Sequence, residues 1–231
     1  LSREAQRLPS HFWSTPIRLT TRIRRHPGLR QFGKTLERGS KSLALRLLSR
    51  HRKGEVAPQV TAEVFNKARR ILLVRPNFRI GNALISAPVI ESFARAFPHL
   101  EIDYLGTDTT RVLFEQMPIV EFHCLTRDAI SRPWLVLSLI RRLRRRRYEV
   151  AVHVGGGSLT SALLTWVSGA KVRVGPSADP GDLYDQVYDT QSGHAYDFPA
   201  GITQTLGIPF RGRPWFLLSE QERARGAALI A

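Results

Sequence analysis

The sequence predicts an α/β fold in which a parallel sheet carries helices on both faces, and three observations lead to it. From Ile71 onward, short runs of branched apolar residues alternate with stretches whose apolar positions recur every three or four residues. The first strand passes into the first helical stretch through a glycine turn, Ile80-Gly81-Asn82. Apolar residues make up 42% of the 231, enough to bury a core on that scale. In such sheets ligands lie beyond the carboxyl ends of the strands. Asn82 is therefore expected near any chemical site.

The elements follow in order. Ile71 to Val74 reads as a buried strand, and Val89, Ile90, Phe93, Ala94 and Phe97 mark the inner face of the next helix. Pro88 is incompatible with a helix interior, so regular helix is expected to start near it. Ile102 to Leu105 is a second strand, with a helix around Thr109 to Gln116, and Val120 to Leu125 a third. Pro133 suits the first turn of a helix running to about Arg147, with Val136, Leu139, Ile140 and Leu143 inward. Glu149 to Val154 is the fourth strand, leading through Gly155-Gly156-Gly157-Ser158 into a helix. Its expected buried stripe is Leu159, Leu163, Trp166 and Val167, and Gly169 ends it. Val172 to Val174 is the fifth strand, and 176–193 reads as loop. A helix over Tyr196 to Leu206 follows, then a connector and a last helix capped by Ser219 and Glu222. This regular alternation is Rossmann-like.

Charge separates the chain into parts. Residues 1–70 hold 17 Lys and Arg against 4 Asp and Glu, so +13 of the net +16 lies there and the remainder is close to neutral. Residues 1–65 read as a basic leader, partly helical or disordered, and 66–218 as the domain. Within the leader, Phe12, Trp13, Ile17, Leu19 and Ile23 interleave with arginines, and Leu36 to Lys53 has helical spacing. Residues 1–53 suit an anionic membrane surface. A loosely ordered tail, or helices packed on the domain with solvated arginines, is the other reading. Nucleic acid is disfavoured as a partner, because stacking aromatics on a sheet face are not evident. A single cysteine, Cys124, excludes an internal disulfide and points to a reducing compartment. No apolar run approaches the ~20 residues needed to span a bilayer.

The glycine turns are the candidate sites. Gly81 lets a backbone approach a ligand, or serves architecture alone. Gly155, Gly156, Gly157 and Ser158, at a helix start, can hold a phosphate or carboxylate on their amides, or form a tight turn. Neither stretch is a dinucleotide fingerprint or a Walker loop. Arg127 and Arg132 follow the third strand, and the run Arg141, Arg142 and Arg144 to Arg147 reads as a solvated helix end. Asp179, Asp182, Asp185 and Asp189 lack metal-ligand spacing and read as solvated, so no metal and no cofactor is expected.

Three stretches resemble the glycosyltransferase family 9 heptosyltransferases. Arg75, Ile80-Gly81, Leu84, Pro88, Ile90, Phe93 and Phe97-Pro98 stand in the order of the family's opening motif. Tyr148-Glu149, Gly156, Ser161-Ala162-Leu163-Leu164, Gly169-Ala170 and Val174-Gly175 match a second, and His194-Ala195 with Leu206-Gly207-Ile208 a weaker third. The resemblance implies the N-terminal half of a GT-B fold, two Rossmann-like domains around a cleft. It implies transfer of a sugar from a nucleotide diphosphate donor to lipopolysaccharide core or a related glycan, with inversion. It gives Arg75, Arg79, Gly81, Arg127, Arg132 and Gly155 to Ser158 to the acceptor. Donor binding belongs to a C-terminal domain missing here; 219–231 reads as the start of an interdomain helix where the chain is truncated. Location would be cytoplasmic, peripheral on the inner membrane.

Asn82 stands where the family has its aspartate base. An amide orients a hydroxyl through hydrogen bonds but cannot take its proton as a carboxylate does. His153, where the family tends to have aspartate, is the alternative base, and a structural histidine is the other reading. The resemblance thus leaves two functions: a transferase with a displaced base, or a carbohydrate- or polyanion-binding protein derived from one.

Overall fold

The computed structural model describes residues 60–130, 132–179, 183–189, 197–210, 218 and 220–230. The basic leader, Asp182, His194, Ala195, Tyr196 and the Ser219 cap lie outside them. Helix α1 spans Ala62–Lys67 and β1 Arg70–Val74; α2 (Ile80–Leu84) and α3 (Ala87–Ala96) follow. Then come β2 (Glu101–Thr107), β3 (Glu121–Leu125), α4 (Pro133–Arg146), β4 (Val150–His153) and α5 (Leu159–Val167). Strands β5 (Val172–Pro176) and β6 (Gln186–Tyr188), α6 (Phe198–Thr205) and α7 (Glu220–Ile230) complete the described chain.

All strands pair in parallel, in the order β3-β2-β1-β4-β5-β6. Parallel strands need both faces covered, and alternation along β1 shows how. Ile71 and Leu73 point into the larger core with Phe65, Val89, Ile90, Phe93 and Ile202, from α1, α3 and α6. Leu72 and Val74 point the other way, onto Leu139 and Leu143 of α4 and Leu164 of α5.

Several expectations are corrected. The helix expected around Thr109 to Gln116 is a 3₁₀ helix that spans Asp108–Phe114. Gly81 and Asn82 lie inside the one-turn helix α2 rather than in the turn before it, and α3 begins beside Pro88 as expected. In α5 the buried residues are Ser161, Ala162, Leu164 and Thr165; Leu159, Leu163, Trp166 and Val167 are only half-buried. The 176–193 stretch contains β6, three residues too short to show alternation. Arg146 is not a solvated helix end. It donates to Asp103 through Nε and Nη2 at 2.7 and 2.9 Å, and Tyr148 donates to the same carboxylate at 2.7 Å. Asp103, Glu121 and His123 bring ligand-type atoms within 4.8 Å of one another. The guanidinium of Arg146 already supplies the cation there, at the amino-terminal end of the sheet.

Candidate functional site

Strand order reverses between β1 and β4, which makes their carboxyl ends the topological switch point and the expected ligand crevice. Val74 pairs with His153 as the last rung before the two loops separate. Arg75 bridges them. Its Nε donates to the carbonyl of Asn82 at 2.7 Å and its Nη1 to the carbonyl of Val154 at 2.5 Å. The residue is 9% exposed, and burial pushes its pKa down from the ordinary value, although an arginine remains charged. Gly155 is the other half of this clamp. A Cβ there would lie 1.4 Å from Arg75 Nη1, and its φ of +126° is disfavoured for any side-chain-bearing residue.

Beneath the β4 loop lies a polar network that sequence reading missed. Tyr188, from β6, accepts the Gly155 amide at 2.9 Å and shares its own proton between the carbonyls of His153 and Gly155, each at 2.6 Å. Asp179 was expected to be solvated, yet it is 6% exposed. Its Oδ2 accepts from the Tyr184 hydroxyl at 2.7 Å and lies 3.0 Å from His153 Nδ1. Asp185 is likewise no solvated group: its Oδ2 accepts the Arg173 amide at 2.7 Å.

Geometry assigns the proton on His153. Nδ1 faces the Asp179 carboxylate and, at 2.8 Å, the Tyr184 oxygen, whose hydrogen is already given to Asp179. Both neighbours accept, so Nδ1 carries the hydrogen and Nε2 the lone pair. Burial lowers the His153 pKa and the Asp179 partner only partly opposes it, so the ring is neutral. Burial raises the Asp179 pKa, but hydrogen bonds from His153, Tyr184 and the Ser158 amide more than offset this and keep it ionised. The Ser158 amide thus serves an anion of this chain, and the Ser158 hydroxyl accepts from Ser161 as the cap of α5. Nothing in the spacing of Tyr184 and Tyr188 identified them as partners of this turn.

Of the remaining expected residues, Arg79, Gly81 and Asn82 follow β1, and Arg127 and Arg132 follow β3. Asn82 is half-buried, and its side chain has no hydrogen-bond partner among the described residues. Gly81 is exposed, with nothing within 4 Å of the place a Cβ would take. Arg79 is exposed on the same loop, its amide donating to Asn77 Oδ1. Arg127 lies over the Phe78 ring at 4.9 Å, which joins the segment after β3 to the loop after β1. Arg132 is exposed at the start of α4, with no hydrogen bond to the loop among the described residues. His153 is 1% exposed. The structure therefore joins Arg75, Asn82 and Gly155, brings Arg127 to their rim, and sets His153 beneath them.

This arrangement is a Rossmann-like α/β domain with its crevice at the switch point. Among solved structures it resembles a glycosyl transferase family 9 protein from Veillonella parvula at 16% identity and a TM-score of 0.58, covering 75% of this chain and 50% of that one. Escherichia coli heptosyltransferase WaaC, solved with ADP-2-deoxy-2-fluoro heptose, matches at 15% identity and a TM-score of 0.53, over 62% of this chain and 50% of that one. Escherichia coli ADP-heptose lps heptosyltransferase II matches at 19% identity and a TM-score of 0.52, over 71% and 50%. This chain spans about half the length of each, and at such identities the likeness is one of fold. No family model matches the chain, and no curated protein matches its sequence.

Proposed function

We propose that this chain is the acceptor-binding half of a glycosyltransferase of the heptosyltransferase type. It would move a sugar from a nucleotide diphosphate donor to a lipopolysaccharide core or related glycan, with inversion. The observation that carries this reading is the fold likeness to family 9 structures, coinciding with a crevice at the β1/β4 switch point. In this reading Asn82 holds the acceptor hydroxyl through its unpaired side-chain amide, and the space over Gly81 admits the acceptor's sugar ring. Arg79, Arg127 and Arg132 offer cations to acidic groups of the acceptor, for which a planar guanidinium is well suited. Arg75 and Gly155 to Ser158 shape the floor. The donor, an ADP-sugar by analogy with the structures matched, belongs to a second domain. The basic leader holds the protein on the anionic cytoplasmic face of a membrane.

Inversion requires the acceptor oxygen to attack the anomeric carbon opposite the leaving nucleotide while losing its proton. Asn82 cannot take that proton. Neutral His153, oriented by Asp179 and Tyr184, is the base in this half of the site, and rearrangement of the loop above it gives the acceptor access.

A second reading, a non-catalytic glycan-binding protein, is favoured by the amide at position 82 itself. One experiment separates them. The complete gene product is assayed for sugar release from nucleotide sugars onto core oligosaccharide, as wild type, Asn82→Asp and Asn82→Ala. The transferase reading expects turnover in the wild type, a loss of about tenfold or more in Asn82→Ala and activity retained in Asn82→Asp. Turnover in none of the three with any nucleotide sugar selects the binding protein.

A further inference from the structure

Helix α4 presents a surface that the proposed chemistry does not use. Leu139 and Leu143 are its inner face. Trp134, Leu137, Arg141 and Arg145 succeed one another at steps of three and four residues, so they share one stripe, and it lies opposite that inner face. Trp134 is 61% exposed and Leu137 52%. Single exposed apolar residues are ordinary. Here two adjoin on one stripe and run directly into arginines.

No acidic residue occurs from Arg132 to Arg147; at the end of α4, Arg146 pairs with Asp103 and Glu101 and Arg144 donates to the carbonyl of Val167, while Arg141 and Arg145 are exposed. Exposed tryptophan and leucine at one end of a helix stripe, with unneutralised arginines at the other, match a bilayer interface. The indole rests at headgroup depth, the leucine enters the acyl boundary, and the guanidiniums meet lipid phosphates. A polyanion such as RNA would use the arginines but gain nothing from Leu137.

We propose that the outer face of α4 is a docking surface for an anionic phospholipid bilayer. Trp134 and Leu137 insert, and Arg141 and Arg145 bind lipid phosphate. The helix begins beside the 3₁₀ turn Arg127–Ile130, beyond the carboxyl end of β3. The inference rests on the exposed face and stands apart from the transfer reading, since vesicle binding is measured without any assay of activity.

The test is co-sedimentation of the full chain with vesicles of phosphatidylglycerol mixed into phosphatidylcholine, and with phosphatidylcholine alone. Because the leader carries +13, the readout is the difference between wild type and two exposed-face variants, Trp134→Ser with Leu137→Ser and Arg141→Glu with Arg145→Glu. Each is expected to lower partitioning onto the anionic vesicles at least about tenfold, with an unchanged circular dichroism spectrum. Brominated phosphatidylglycerol should quench Trp134 fluorescence in a Trp13→Phe protein, and Trp13→Phe with Trp134→Phe should lose most of that quenching. Partitioning of both variants equal to wild type would assign adsorption to residues outside α4 and overturn the proposal. So would binding to single-stranded RNA, weakened by Arg141→Glu with Arg145→Glu, without binding to anionic vesicles.

Discussion

Arg75 and Gly155 fix the shape of the crevice, and each makes sense only with the other. The guanidinium fills the space a Cβ at 155 would need and satisfies two backbone carbonyls that no strand partner reaches. Replacing Gly155 by Ala should displace Arg75, strain the backbone and leave buried acceptors unpaired, costing about 3 kcal/mol or more of unfolding free energy. Urea denaturation of wild type and variant checks this; equal midpoints would contradict the clamp. His153 supplies a pH signature. Its folded pKa is lowered by burial, so between that value and the ordinary histidine pKa of about 6.5 the unfolded chain binds a proton that the folded one does not. Stability therefore falls as pH drops below about 6.5. Asp179 and Asp103, both held below the usual carboxylate range, contribute stability that is present above about pH 4 and lost only at lower pH. We expect the urea midpoint to decline from pH 7 to pH 5, and His153→Gln to flatten that decline. A slope unchanged by the substitution would show that His153 is not the neutral, buried ring described here.

At the scale of elements, the sequence shows strands and helices where periodicity is strong and loses them where it is short. Strands β1 to β5 were legible because branched apolar runs are long enough to be counted, and α4 because its inner leucines and first-turn proline agree. The three residues of β6 carry no usable pattern, yet β6 delivers Tyr188, and the turn before it delivers Asp179 and Tyr184. The expected turn residues at 75–82 and 155–158 were found together because sheet topology places their loops side by side. Their partners were not, because contact between distant loops leaves no trace in spacing. Gly175 shows the same limit: a Cβ there would overlap the Tyr184 ring at 2.2 Å, a demand invisible in sequence. Tyr188→Phe isolates the role of β6. It removes the group that accepts the Gly155 amide while keeping the ring, and should cost about 1–3 kcal/mol of stability. Faster amide exchange at Gly155 is the accompanying local sign. Unchanged exchange would mean that the loop does not depend on β6.

At the scale of the molecule, charge and fold divide the work. The basic excess lies before residue 70, while the described domain is nearly neutral apart from the outer face of α4. Among the described residues no helix is long and apolar enough to cross a membrane. The Rossmann-like sheet places its crevice at one end, and the fold resembles half of the family 9 structures it matches. The central claim is that this crevice receives a glycan acceptor, and it can be read without turnover. Isotope-labelled chain titrated with phosphorylated core oligosaccharide should show saturable amide shift changes at Gly81, Asn82 and Gly155 to Ser158, weakened in Asn82→Ala. Shifts confined to residues 1–53, or none at the crevice at saturating oligosaccharide, would contradict it.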